Sequence, residues 1–357
     1  MTAAAARDRP IIALIAAYNE GDVIGSVVSH LIDEGISVYL LDHESTDDTV
    51  ERAREYLGRG LLDIERFSSE KADDGAPGRF VWQEILRRKE TLAADLDGAW
   101  FIHHDADEFR ESPWAHLNLR DAIWSVDALG YNAIDFELLN FWPTHDDFRP
   151  ATDVRQTFHY YSPGELLDKI QIKCWKKAAE RVDLVSSGGH EAIFPGRRVF
   201  PLRFVLRHYP IRGQAHGERK VFRERLPRFM ESERARGWHV QYDSIRPDER
   251  FIRDPATMIP YDPDRVRLQL MLRHRDVEAL EAAFAAERQQ IQAQLAAMQR
   301  ERDSLTAQLQ SQSRQLESQG QQLESLGRQL EAIAASRSWR WTAPMRAVFR
   351  LASRRRA

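Results

Sequence analysis

Between residues 10 and 140, short β-rich runs of hydrophobic residues alternate with longer stretches of helical period, the pattern of an α/β chain. Ile11-Ile12-Ala13-Leu14-Ile15-Ala16-Ala17 is apolar throughout, as expected of a strand covered on both faces of a parallel sheet. Val23, Ile24, Val27, Val28, Leu31 and Ile32 then share one stripe and predict a helix over 21–34, ended by Gly35. A second strand is expected over 36–41. Ser45-Thr46-Asp47-Asp48 comes next with a capping-box pattern, predicting a helix to about residue 57. A third strand over 61–67, a polar loop over 68–78 and a helix over 79–95 lead to a fourth strand, Ala99-Trp100-Phe101-Ile102-His103, which runs into Asp105-Ala106-Asp107.

Past residue 140 the pattern is less regular. Strands are expected over 131–141, 157–161, 169–175 and 200–207, and a helix over 214–236. Pro247, Pro255, Pro260 and Pro263 then punctuate a connector. From residue 276 the composition turns to Ala, Gln, Glu, Leu and Arg with no proline until Pro344, which predicts one long helix. In a single heptad frame the a positions are Leu295, Arg302, Leu309, Leu316, Leu323 and Leu330. The d positions are Ile291, Met298, Leu305, Gln312, Gln319, Leu326 and Ile333, so a coiled coil and a homo-oligomer are expected. The expected organisation is a tail (1–9), a catalytic-type α/β domain (10–240), a connector (241–275), a coiled coil (276–335) and a basic amphipathic tail (336–357).

Composition narrows the function. The 51 basic and 55 acidic residues leave a net charge of −4, without the footprint of a dedicated nucleic-acid binder. The one cysteine, Cys174, forms no intrachain disulfide or Cys-rich zinc site, which suits a reducing, cytoplasmic setting. No stretch reaches the roughly 20 apolar residues of a membrane span.

Asp105 and Asp107 stand two residues apart on a loop at the carboxyl end of a strand, where open α/β sheets bind ligands. Two such carboxylates can share a divalent cation, Mg²⁺ or Mn²⁺, which neutralises a diphosphate. Neither GxGxxG after the first strand nor GxxxxGK[ST] is present, which argues against a dinucleotide enzyme or a P-loop NTPase. The blocks Ala16-Ala17-Tyr18-Asn19-Glu20, Asp42 to Thr49, and His104-Asp105-Ala106-Asp107-Glu108-Phe109 resemble, in order and spacing, the family 2 glycosyltransferases of GT-A fold. The resemblance covers residues 10–140 well, 141–240 loosely and the carboxyl-terminal helix not at all. It implies a GT-A-type mixed sheet flanked by helices, ahead of the long coiled-coil helix. It also implies a nucleotide-sugar donor, with Tyr18, Glu20 and Asp42 toward base and ribose, Asp105 and Asp107 for ribose and metal, and Arg88 as a diphosphate or base contact. His43-Glu44 and Asp48 depart from the family's usual small, acidic and glycine residues, so the donor base is left open.

A second constellation lies at Ser186-Ser187-Gly188-Gly189-His190-Glu191 and at Arg207-His208-Tyr209-Pro210-Ile211-Arg212. His190 is a candidate third metal ligand and Glu191 a candidate general base, with Asp183 as the alternative base; Arg212 and Lys220 are candidate phosphate clamps. His190 and His208 each stand between a ligand role and a structural one. Residues 337–357 carry seven arginines and no acid, with Trp339, Trp341, Met345, Val348, Phe349 and Leu351 supplying apolar surface. That composition suits peripheral contact with an anionic inner membrane face, near a saccharide or lipid-linked acceptor. The expected activity is metal-dependent, inverting transfer of a sugar to an acceptor hydroxyl in bacterial surface-polysaccharide or glycoconjugate synthesis. The rival is a catalytically inactive GT-A domain whose coiled coil serves as a scaffold.

Overall fold

In the computed structural model the apolar run is β1 (Ile11–Ala17), buried on both faces as its composition requires. The structure describes residues 8–68, 81–150, 152–164, 169–228, 245–273, 277–342 and 344–346. β1 pairs in parallel with β2 (Ser37–Asp42) on one side and β4 (Trp100–Asp105) on the other, and β3 (Leu61–Arg66) adds to β2 in parallel. Two short antiparallel additions, β9 (Cys174–Lys176) and β6 (Ala133–Ile134), complete a mixed sheet of order β3-β2-β1-β4-β9-β6. Ile11, Ala13 and Ile15 face a core shared with helices Ile24–Asp33 and Leu119–Ala128. Ile12 and Leu14 face a second core with Leu86 of helix Trp82–Asp95, Phe101 and Trp175.

The second sheet has the order β11-β8-β7-β10-β5. It combines β5 (Glu108–Glu111), β7 (Phe136–Phe141), β8 (Tyr160–Pro163), β10 (Phe204–His208) and β11 (Ile259–Pro260). β5 leaves the first sheet directly after Asp107, and its antiparallel pairing with β10 sets His208 opposite Glu108. This hand-over between sheets brings residue 208 to the end of β4.

Several expectations are revised. The helix after β2 starts at Thr49, not at the capping-box residues. β5 and helix Leu119–Ala128 were not expected from the pattern. The helix expected over 214–236 is α-helical only at Gln214–Glu218, then π-helical at Arg219–Arg225 and 3₁₀ at Leu226–Arg228; residues 229–236 lie outside the described residues, as do 69–80 of the expected loop and helix start. The connector expected over 241–275 is, in its described part, integral to the first unit. β11 pairs with β8, and Val266 and Leu270 of helix Pro263–Arg273 enter the main core. That unit ends at Val277.

The second unit is helix Val277–Ala335 followed by helix Arg337–Trp341. Among the described residues no helix is long and apolar enough to cross a membrane.

Candidate functional site

Three parallel strands stop at one sheet edge, and the loops leaving them form the site. Ala17 pairs with Asp42 and Ala16 with Asp105, so Tyr18-Asn19-Glu20, Asp42 and Asp105 emerge side by side. Asn19 adopts a left-handed backbone (φ 54°), which Asn tolerates better than most residues. The residues after β2 hold it there: Asn19 N donates to Ser45 Oγ (3.1 Å), and Thr46 N donates to Asn19 Oδ1 (2.8 Å). Glu20 N donates to Thr49 Oγ1 (2.9 Å) and Gly21 N to Asp47 Oδ2 (3.0 Å). The hydroxyls and acids that resemble a helix cap pin the end of β1 as well, while Asp47 Oδ1 accepts from Thr49 N (3.0 Å) at the helix start. Asp42 is buried and accepts from Ser45 N at 3.2 Å.

Acids and bases interlock beneath this edge. Lys220 Nζ lies 2.7 Å from Asp107 Oδ2 and 2.8 Å from Glu20 Oε1. Arg212 bonds Glu20 Oε2 (2.5 Å) and both oxygens of Asp22 (2.7 Å each). Lys173 Nζ reaches Glu108 (3.1 Å) and Asp105 (3.4 Å), while Arg110 pairs with Glu108 at 2.6 Å. Burial alone raises the Glu20 carboxyl, but Lys220 and Arg212 outweigh it and hold the group well below its usual range. Burial acts likewise on Asp105, where the positive charge of Lys173, aided by Lys89, prevails and holds it ionised. Lys220 loses charge preference to burial and regains more from Asp107 and Glu20, so its ammonium persists. Asp105 keeps 32% of its side chain exposed against 10% for Asp107, so it is the more open of the two acids.

His208 completes the arrangement. Its Nδ1 lies 2.7 Å from Asn140 Oδ1, an oxygen that only accepts, so Nδ1 carries the proton. In the neutral ring Nε2 then turns a lone pair toward Asp107 Oδ1, 3.6 Å away. Nε2 and Asp107 Oδ1 therefore present lone pairs to the same space, where a cation could be held by both. A carboxylate and an imidazole whose other nitrogen is hydrogen-bonded are a fitting donor pair for Mn²⁺ or Mg²⁺. Glu20, Asp22 and His216 also bring ligand atoms within 4.8 Å of one another. Arg212 already bonds both of those carboxylates, so a cation is in place there.

No family model matches the chain, and no curated protein does. Among solved structures, the chain is similar to Staphylococcus aureus TarS 1–349 in complex with UDP, at 13% identity over 47% of each chain, with a TM-score of 0.29. It is also similar to glucosyl-3-phosphoglycerate synthase from Mycobacterium tuberculosis in complex with Mn²⁺, UDP and phosphoglyceric acid. That match has 26% identity over 39% of this chain and 46% of the other, with a TM-score of 0.24. Each match spans less than half of the solved chain.

The other residues singled out from sequence are spread around this edge. Tyr18 lies under the Arg228 guanidinium, 3.7 Å from its ring, and Arg228 also reaches His43 Nδ1 at 3.2 Å. Burial and Arg228 push the His43 imidazole down to about 4, so it accepts as a neutral ring. Arg88 makes a two-pronged pair with Glu65 (2.8 Å each), itself bonded by Tyr39. Its neighbour Lys89 runs behind β4, to His103 Nδ1 (3.0 Å) and His104 O (2.9 Å). Arg212 is fully buried on Glu20 and Asp22, a tie between segments. His190 Nδ1 meets Gln171 at 3.2 Å, Glu191 pairs with Arg197 (2.9 Å), and Asp183 accepts from Ser186 N (2.9 Å) and Oγ (2.5 Å). The 183–193 loop is nonetheless tied to the acidic cluster, because Ile172 bridges to Glu191 and the next residue, Lys173, touches Asp105. Gly189 (φ 92°) lets the loop pass, since a Cβ there stands 2.9 Å from His103 Nε2. Lys173 and Arg228 carry much of the site's charge and were not singled out from sequence. A lysine between Ile172 and Cys174, inside an apolar strand pattern, is the signal for the first; Arg228 has none, because only the fold brings residue 228 to residue 18.

Proposed function

We propose that the first unit is a glycosyltransferase that moves a sugar from a nucleoside diphosphate to an acceptor hydroxyl with inversion. The observation that carries the reading is Asp107 facing His208 beside the exposed carboxylate of Asp105, at the carboxyl ends of parallel strands, with Lys173 and Lys220 at hand. Asp107 and His208 would hold a divalent ion, which supplies positive charge to the departing diphosphate. Tyr18, with Arg228 over its ring, would line the base end of the donor, and Asp42 and Asp105 would accept from ribose hydroxyls. The acceptor oxygen attacks the anomeric carbon from the face opposite the diphosphate. As that bond forms, the sugar–phosphate oxygen bond breaks, the diphosphate leaves with the electron pair, and Glu191 takes the hydroxyl proton.

Lys220 at 2.7 Å from Asp107 favours a second reading, in which its ammonium does the cation's work and no metal is used. One experiment separates the two. Release of nucleoside diphosphate from UDP-, GDP- and dTDP-sugars is measured with Mn²⁺ and with EDTA, for the wild type, Asp107→Asn and Glu191→Gln. Loss of turnover in EDTA supports the metal, whereas full turnover in EDTA supports Lys220. No turnover of any donor under either condition removes the enzyme and leaves the scaffold. A wild-type rate in Glu191→Gln passes the base to Asp183 or another acid. We further assign the acceptor to a saccharide or lipid-linked species at an anionic membrane face, supported by the basic, Trp-bearing composition of residues 336–357.

A further inference from the structure

Helix Val277–Ala335 carries an apolar stripe whose described side chains stand exposed. Leu295, Leu309, Leu316, Leu323 and Leu330 of the a positions and Met298, Leu305 and Leu326 of the d positions are each more than half exposed. A helix polar on its other faces gains little by holding such a stripe in water, so the stripe calls for a partner of the same period. We infer that the partner is a second copy of this chain, paired in parallel and in register as a two-stranded coiled coil.

The polar residues within the stripe decide orientation and register. In a parallel, in-register pair every layer meets its own copy. The leucine layers stay apolar, and Gln312 and Gln319 each face the same amide, which can donate and accept. Arg302, the one charged a residue from 291 to 333, meets its own copy across the seam, and each guanidinium turns outward from that layer to the preceding g position of the other copy. That position is Glu301, the one charged residue among g positions otherwise filled by Gln294, Gln308, Gln315, Gln322 and Gln329. The ion pair therefore forms twice, reciprocally. In the single chain the Arg302 guanidinium pairs with Asp303 at 2.8 Å on the surface.

The alternatives each bury a mismatch. A one-heptad slip sets Gln319 against Leu326, Leu305 against Gln312 and Arg302 against a leucine. An antiparallel pair that sets Arg302 opposite Gln312 places Gln319 against Leu295; one that sets Arg302 opposite Gln319 places Gln312 against Leu309. An amide pressed on leucine loses hydrogen bonds it makes in water. The e positions, Gln299, Thr306, Ser313, Gly320 and Gly327, carry no charge and oppose none of these pairings, so discrimination rests on the polar layers at 302, 312 and 319. Tethering two sugar-transfer sites in one dimer suits an acceptor with repeated units, because a second site engages at high effective concentration.

The test uses the full chain in a Cys174→Ser background. Sedimentation equilibrium is expected to give a dimer, and a monomer or trimer overturns the proposal. Leu326→Cys is expected to form a disulfide between copies under mild oxidation. Preferential mixed disulfides between Leu295→Cys and Leu326→Cys chains overturn the orientation. Glu301→Lys is expected to weaken dimerisation by roughly fivefold or more, and the exchange Glu301→Arg with Arg302→Glu to restore it. An unchanged dissociation constant in Glu301→Lys overturns the register. These readouts are independent of transferase activity.

Discussion

At the residue scale, one imidazole separates two versions of the site. His190 comes after the glycine pair and His208 ends β10, yet only His208 lies at Asp107, with Asn140 fixing its tautomer. His208→Ala is expected to raise the dissociation constant for Mn²⁺ by roughly 10- to 100-fold, and His190→Ala to leave it within about twofold, by isothermal titration. The reverse ranking would return the metal to the glycine loop. Lys220 gives a second prediction. Replaced by Met, it leaves Asp107 and Glu20 short of a counter-charge in a buried setting, at an expected cost of about 3–5 kcal/mol in urea denaturation. Mn²⁺ is expected to recover more stability in that variant than in the wild type, because the ion takes over the vacated charge on Asp107.

Elements decide how these residues meet. The 183–193 loop crosses behind β4 through Gly189, whose positive φ and closeness to His103 leave no room for a side chain. Gly189→Ala is expected to cost more than about 1 kcal/mol of stability and to lower Tm. Wild-type stability would mean that the loop is not anchored at that glycine. The π-helical turn at Arg219–Arg225 carries Lys220 onto Asp107 and leads on to Arg228 over Tyr18, and such turns are frequent at functional sites. At the other end of the chain, Trp339 and Trp341 are exposed on helix Arg337–Trp341. A chain ending at Ala335 is expected to lose flotation on anionic vesicles while the full chain retains it; equal recovery would reject the membrane contact.

For the whole molecule, buried histidines dictate the response to acid. Burial holds His30, His43, His103, His104 and His216 below the ordinary imidazole range. Between the unfolded value of 6.5 and their lower folded values, the unfolded chain binds more protons than the native one, so stability falls as pH falls. Glu20 and Asp105, also lowered, extend the trend below the carboxylate range. Each proton contributes at most about 1.4 kcal/mol per pH unit. The unfolding free energy is therefore expected to drop steeply from pH 6.5 to pH 5, with uptake of about four protons from the urea dependence. A slope below one proton would mean that these rings are hydrated.

Elements whose pattern is local follow from the order of residues alone. The continuous apolar run became β1, the stripe ending at Gly35 became a helix, and the heptads became one long helix, because period and turn chemistry act over a few residues. The order of residues also put Asp42, Asp105 and Tyr18 at strand ends, since strand order in an α/β pattern sets their common edge. Other outcomes were decided only by the tertiary structure. Ser45 and Asp47 serve the end of β1 because Asn19 and Gly21 lie within hydrogen-bond reach. His208 meets Asp107 because β5 and β10 pair across a sequence separation of nearly one hundred residues. Arg212 is engaged by Glu20, since a charge taken out of water bonds the counter-charge the fold brings to it, and Arg88 is engaged by Glu65 at the half-exposed surface because the fold sets helix Trp82–Asp95 beside β3.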